Sequence, residues 1–455
     1  MSHSYHAEYA CVDGATARDV RIDVANGRIA AVLAGAPAPP GSVRLRGLTL
    51  PGLANAHSHA FHRALRGRAE VELGRGHAHG APPAKLGRGS FWTWRQRMYE
   101  VAGRIDPDQY HALARATFAE MALAGVTCVG EFHYLHHAPG GLHYADPNEM
   151  GHRMMAAAAE AGIRITLLDA LYLTSSVAGA PLEGPQLRFG DGDVDGWSKR
   201  HDALRREPHA LIGAAAHSVR AVPDGLTTFA DRNEGTPTHI HLSEQRAENE
   251  QCLAALGRTP TEHLVDQGLA GPWVTAVHAT HLSNGDIARL GGEDATNVCL
   301  CPTTERDLGD GIGPARALAD AGSPLCLGSD SHAVIDLLEE ARAVELDERL
   351  STEQRGHFTV AELLGAATLA GHAALGWGDA GTLSVGSRAD LVTVRVDTVR
   401  TAGYEDPAAA VLFGATAADV TDVVVDGRAI VHDGQHLLVA DVPGALDRAI
   451  RAVWS

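Results

Sequence analysis

The 455-residue chain, 45% hydrophobic and 21% charged, has the composition of a globular protein with room for one large domain and a smaller one. Its formal charge of −18 argues against nucleic acid or an anionic membrane as partner, and leaves any anionic substrate to be met by locally placed arginines. The only lysines are Lys85 and Lys199, so positive charge is nearly all arginine.

The N-terminus lacks the basic and apolar regions of a signal peptide, and no apolar run is long enough to span a bilayer. Cys11, Cys128, Cys252, Cys299, Cys301 and Cys326 follow neither a disulfide framework nor a zinc-ribbon spacing, and Cys299-Leu300-Cys301 reads as buried strand packing. These features point to a cytoplasmic protein.

Residues 1–50 read as short β segments: Asp19–Val24 alternates, Asn26-Gly27 makes a turn, and Ile29–Leu33 follows. The far end is similar, with strands expected over Ala389–Val394 and Val423–Val431. Two β-rich ends suggest a composite β domain from 1–50 and 380–455, around a middle of 51–379.

That middle alternates short apolar runs with helical stretches. The runs are 50–56, 126–131, 163–168, 211–216, 238–242, 274–278, 297–301 and 324–330, and helical material lies at 108–124, 147–161 and 285–290. Eight β-then-α units predict an α/β fold of the (β/α)₈ TIM-barrel type, with its active site at the C-terminal strand ends. A doubly wound sheet competes, but no Gly-x-Gly-x-x-Gly follows an early strand. The stretch 74–90, rich in Gly and Pro, reads as a loop. His77 and His79 within it are expected to be exposed rather than to form a metal site.

Several runs finish in chemistry. The first ends in His57-Ser58-His59, and residues two apart on a strand share a face, so both imidazoles can reach one ion. Alone, they could equally be two polar strand-end residues. The fifth run gives His241 and, three residues on, Glu244; the sixth gives His278; the eighth gives Asp330. Three histidines and a carboxylate form a zinc-type set with an open position for water. A divalent ion lowers the pKa of bound water, and an unligated carboxylate such as Glu244 can move its proton.

His57-Ser58-His59, His241-x-x-Glu244, His278 and Gly328-Ser329-Asp330-Ser331-His332 resemble the amidohydrolase superfamily, in its one-metal deaminating branch. Ser90–Arg95, Glu131–Tyr134, His217-Ser218-Val219-Arg220 and Val277–His281 further resemble the N-formimino-L-glutamate deiminases of histidine degradation. The resemblance runs over nearly the whole chain. It implies one divalent ion, zinc by preference, held by His57, His59, His241 and Asp330. It also implies that Glu244 transfers protons while His278 and Asp330 assist at the reaction centre.

By the same resemblance His62, Arg95, Tyr134, His217 and Arg220 hold a small-molecule dicarboxylate substrate, and the enzyme is a homodimer. Two arginines suit two carboxylates, each pair bidentate and charge-assisted. The competing readings are Arg95 stacked on Trp92 or Trp94 and Arg220 in a structural ion pair. Neither lysine lies at a strand end, which fits one ion rather than a lysine-bridged pair. His62 stands where glutamine is expected in relatives. His133, His136, His137, His143, His281 and His332 are expected beside the site rather than as ligands. The alternative functions are a sister amidohydrolase deaminating a purine, adenosyl or triazine compound, and an inactive scaffold, which would be expected to have lost ligands.

Overall fold

A computed structural model describes residues 2–69 and 90–455 of the chain. Of the stretch expected as a loop over 74–90, everything but Ser90 lies outside the described residues, including His77, His79 and Lys85.

Eight strands pair in parallel and in chain order: Leu53–Ser58, Val126–His133, Arg164–Leu171, Ala210–Ser218, Thr238–Leu242, Val274–His278, Asn297–Leu300 and Leu325–Leu327. The last returns to the first at a seam. Ser58 bridges Asp330 in parallel. There the Asp330 N–H donates to His57 O at 3.0 Å and the His59 N–H to Asp330 O at 3.2 Å. This is the expected (β/α)₈ barrel. Its strands are buried along nearly their whole length because helices cover the outside and side chains fill the inside, so they read as unbroken apolar runs. Helices Pro107–Leu123, Glu149–Ala161 and Asn284–Leu290 occupy the expected helical stretches.

The run 50–56 divides between two sheets. Leu50 and Pro51 end the strand Val43–Pro51, and the first barrel strand begins at Leu53. Gly52 makes the passage, since a Cβ there would sit 2.3 Å from Thr127 Oγ1 and 2.9 Å from Asp390 Cβ.

The second sheet is built from both termini. Ser2–Val12, Ala15–Ala25, Arg28–Leu33 and Val43–Pro51 join Leu391–Val394, Val420–Val425, Arg428–His432 and Gln435–His436. The two halves meet where Val43–Pro51 pairs antiparallel with Leu391–Val394. Asn26-Gly27 and Asp426-Gly427 turn their hairpins with both residues at positive φ, the backbone that matches strand twist. The final helix, Val442–Trp454, leaves this sheet. It buries Val442, Leu446, Ala449 and Val453, and lies by the barrel helix Pro107–Leu123, where the Gln109 side chain donates to Ala452 O at 3.0 Å. The segment 380–455 thus contributes to both the sheet and the barrel's outer layer.

One buried ion pair latches the sheet to the barrel. Arg164, at the start of the third barrel strand, makes a two-pronged bond to Asp390, just before Leu391–Val394. Trp377 packs between Arg164 and Arg388, with guanidinium carbons 5.0 and 4.8 Å from its ring. Among the described residues no helix is long and apolar enough to cross a membrane.

Candidate active site

Three imidazoles converge at the C-terminal mouth of the barrel. His57 Nε2 lies 3.2 Å from both His59 Nε2 and His241 Nε2, which are 3.3 Å from each other. Asp330 Oδ1 is 3.4 Å from the Nε2 atoms of His57 and His59. Four atoms bound tetrahedrally at zinc–ligand lengths would stand roughly 3.3 Å apart, so this set has the dimensions of an ion's coordination shell.

Its hydrogen bonds point the same way. His59 Nδ1 donates to Phe132 O at 3.0 Å and His241 Nδ1 to His217 O at 2.8 Å. A carbonyl only accepts, so both Nε2 atoms carry lone pairs, and facing lone pairs repel unless a cation lies between them. Burial first, and neighbouring imidazoles second, hold His57, His59 and His241 well below the usual imidazole range. They are neutral, as ligands must be. His57, His59, His241 and Asp330 are therefore the residues that could hold a metal.

The strand ends are bent to aim these groups. Ser243, His278, Ala279, Asp330 and His332 all adopt positive φ, a conformation that costs non-glycine residues about 1–3 kcal/mol each and clusters at functional sites. At the seam, Ser58 Oγ–H donates to Glu131 at 2.6 Å and contacts His332 Nε2 at 3.2 Å. The Ala60 N–H donates to Glu131 at 2.7 Å. Burial pushes Glu131 up to about 8 against these two bonds. His332, expected beside the site, is thus part of the seam clamping the metal-ligand strands together.

Glu244 and His278 stand across from the histidine set. His278 Nε2 lies 3.9 Å from Glu244 Oε1 and 3.7 Å from Asp330 Oδ2. Burial, reinforced by Asp330 and Glu248 and opposed by His278 and Arg220, raises Glu244 to about 7. Burial opposes a charge on His278, but Glu244, a hydrogen bond to Glu305 and the charge of Asp330 hold its pKa well above the usual value. A carboxyl near 7 beside an imidazole is suited to moving protons at neutral pH.

The cavity above is lined by His59, His62, Arg95, Tyr134, His217, Arg220, His241, Glu244, His278 and Asp330, every expected site residue except the fully buried His57. Helix Phe91–Ala102 supplies one wall. Phe91, Trp94, Arg95, Met98 and Tyr99 recur at helical spacing and all face the cavity. Arg95 donates from Nε to Tyr99 OH at 2.8 Å, and its guanidinium carbon lies 5.3 Å from the Tyr99 ring and 5.8 Å from the Trp92 ring. The stacking weighed for it thus occurs, in part on an unexpected tyrosine.

Arg220 Nε is buried without a hydrogen-bond partner. Among the described residues neither Arg95 nor Arg220 has a carboxylate within 4.0 Å, so Arg220 makes no direct ion pair, although against burial the more distant charges of Glu248 and Glu244 help to hold its pKa up. His62 Nε2 meets Tyr134 OH at 2.9 Å, and burial holds its imidazole down to about 3, hence neutral.

His133, His136, His137 and His143 do not reach this site. His133, His136 and Asp169 come together, but Arg200 NH1 donates to Asp169 Oδ1 at 2.6 Å and His201 Nδ1 contacts Oδ2 at 3.2 Å. The aspartate already has its cation. His281 faces away, its Nε2 on Asp310 O at 2.8 Å.

Sequence reasoning missed Tyr99, Tyr172, Phe189 and Glu305. Glu305 Oε1 takes the Cys301 N–H at 2.9 Å and faces His278 Nδ1 at 3.3 Å. Its signal was present: a glutamate in the first turn of helix Pro302–Leu308, directly after a barrel strand. Tyr172 and Phe189 approach from separate loops and left none.

Comparison with known proteins agrees with this geometry. Residues 48–430 match the Amidohydrolase family. A formimidoylglutamate deiminase of Pseudomonas aeruginosa is 37% identical over 444 residues, 94% of this chain and 95% of that one. The crystal structure of an amidohydrolase from Brucella melitensis superposes with a TM-score of 0.87 at 34% identity, covering 100% of both chains. That of an adenosine deaminase from Xanthomonas campestris with bound zinc gives 0.80 at 25% identity, over 99% of this chain and 98% of the other. The ligand set at the barrel mouth and these matches together show that the chain belongs to the amidohydrolase family.

Proposed function

We propose that the enzyme hydrolyses N-formimino-L-glutamate to N-formyl-L-glutamate and ammonia, a step of histidine degradation, with zinc as its resident ion. The observation that carries the reading is the pair of arginines, Arg95 and Arg220, which face one cavity beside a candidate metal-ligand set and have no carboxylate within 4.0 Å among the described residues. Each can take one carboxylate of the substrate in a bidentate, charge-assisted pair. On a chain of formal charge −18, a dianion needs that local cation density.

The ion, when bound by His57, His59, His241 and Asp330, supplies the Lewis acidity that makes water a nucleophile near neutral pH. Glu244 accepts a proton from the attacking water and passes it to the formimino nitrogen. A C–O bond forms at the formimino carbon, giving a tetrahedral centre that carries hydroxyl and amino groups. His278, oriented through Glu305, stabilises the oxygen, and Asp330 accepts the hydroxyl proton as the C–N bond breaks. Glu244 relays the further proton, and ammonia leaves. His62, Tyr134 and His217 close around the substrate's remaining polar atoms.

A second reading, a deaminase of purine, adenosyl or triazine rings, is favoured by the aromatic walls at Phe91, Trp94, Tyr134, Tyr172 and Phe189. Ammonia release from N-formimino-L-glutamate, measured beside a panel of amidines and heterocycles, separates them. Release from the formimino compound supports the proposal; release from a purine alone overturns it in favour of the second reading.

A further inference from the structure

A second group of donors converges beside the four-ligand set: the ligand atoms of His278, Cys301 and Asp330 lie within 4.8 Å of one another. The two sets use Asp330 differently. Oδ1 faces His57 and His59, whereas Oδ2 faces His278 Nε2 at 3.7 Å. His278 Nδ1 lies 3.3 Å from Glu305 Oε1, so its N–H is held by a carboxylate and Nε2 can ligate by exchanging its proton for the ion, the arrangement typical of a histidine ligand.

Cys301 follows the seventh barrel strand, and its backbone N–H is fixed by the same Glu305 oxygen. Its sulfur lies beside Gly328, just past the eighth strand, where a Cβ would meet Cys301 Sγ at 3.0 Å and His57 Cβ at 2.7 Å. Glu244, Glu305 and Asp330 all lie within 4.0 Å of the His278 ring nitrogens, a surplus of acid around one imidazole that a further cation would offset.

We propose that His278, Cys301 and Asp330 form a second, weaker and inhibitory site for a thiophilic divalent ion such as zinc or cadmium. Imidazole, thiolate and carboxylate are the donor types such ions take. Binding releases the Cys301 thiol proton and the His278 Nε2 proton to solvent. Occupancy inhibits because it takes His278 and the free oxygen of Asp330, both of which face the cavity. The site is weaker than the first because it offers three ligands rather than four and lies next to a bound dication. The proposal builds on the first set holding an ion and is independent of the substrate.

The test titrates full-length enzyme carrying one zinc with cadmium. Elemental analysis is expected to find a second equivalent, accompanied by an ultraviolet thiolate-to-cadmium band, which cadmium at the thiol-free first site cannot produce. Activity is expected to fall on the order of 100-fold, a size typical of losing one acid–base group. A weak chelator should reverse the band and the inhibition while the first ion stays.

Cys301→Ser should abolish the second equivalent, the band and the inhibition. Cys326→Ser, which alters a thiol sharing the Cys299 neighbour, should keep all three. His278→Asn, read by cadmium binding alone, should also lose the second equivalent. Titration that stops at one equivalent without a band overturns the proposal, as does inhibition persisting in Cys301→Ser or a band that vanishes in Cys326→Ser. A chain that holds no first ion overturns both this site and the four-ligand set.

Discussion

In the proposed reaction turnover depends most directly on Glu244, a carboxyl in the cavity outside the four-ligand set that burial raises to about 7. Glu244→Gln keeps the shape and removes the proton carrier. Turnover should fall by about 10²–10⁴ while the metal content found by elemental analysis is unchanged. Glu244 must be ionised to accept the first proton, so kcat/KM should decline as pH falls through an acid limb. The limb lies at or below pH 7, since a bound dication favours the carboxylate.

In the same proposal the arginines act on binding. Arg220→Ala or Arg95→Ala removes a charge-assisted pair of about 1.5–3 kcal/mol, roughly a 10–150-fold rise in KM for the dicarboxylate. Steady-state kinetics should show most of the loss in KM rather than kcat. At this scale the sequence was legible where chemistry is written in the residue type: every expected ligand and cavity residue is at the site. Glu305 carried a signal as a first-turn glutamate after a barrel strand, but its partner, His278, is 27 positions away and only the barrel makes them neighbours.

At the scale of elements, the helix Phe91–Ala102 acts as a substrate-facing wall whose position depends on its N-terminus. Ser90 Oγ accepts the Thr93 N–H at 3.3 Å, and Thr93 Oγ1 accepts the Ser90 N–H at 2.8 Å, a reciprocal capping box. Ser90→Ala should cost about 1 kcal/mol of helix stability. Arg95 and Tyr99 ride on this helix, so KM should rise while metal stoichiometry stays constant; an unchanged KM would show that the wall is held by packing alone. The element pattern was readable because barrel strands, buried on both faces, are continuous apolar runs. The run 50–56 misled because two strands of different sheets are separated only by Gly52.

Across the whole molecule, the terminal sheet is held on the barrel by Arg164 and Asp390. Burial works against the Asp390 charge, yet Arg164 overrides it and holds the carboxyl below its usual range. A carboxyl depressed in the folded state contributes its stability above the unfolded value, near pH 4, and loses it as pH falls through the folded value. Asp390→Asn should destabilise by about 3 kcal/mol, because the buried Arg164 keeps only its longer ion-pair contact to Asp426 at 3.4 Å. Thermal melts across pH should show the difference between wild type and variant undiminished at neutral pH and narrowing only on the strongly acid side. A difference that grows on acidification would contradict the latch.

The sequence by itself determined the eight-fold alternation, the β character of both ends and the candidates for metal-ligating and proton-moving residues. Those features lie in periodicity and in residue chemistry, which are local. Only the tertiary structure decided that Asp330 closes the barrel against Ser58, that three imidazole nitrogens meet at 3.2–3.3 Å, and that Glu305 and Cys301 stand behind His278. Distances between residues hundreds of positions apart are set by barrel closure and packing, and no local pattern encodes them.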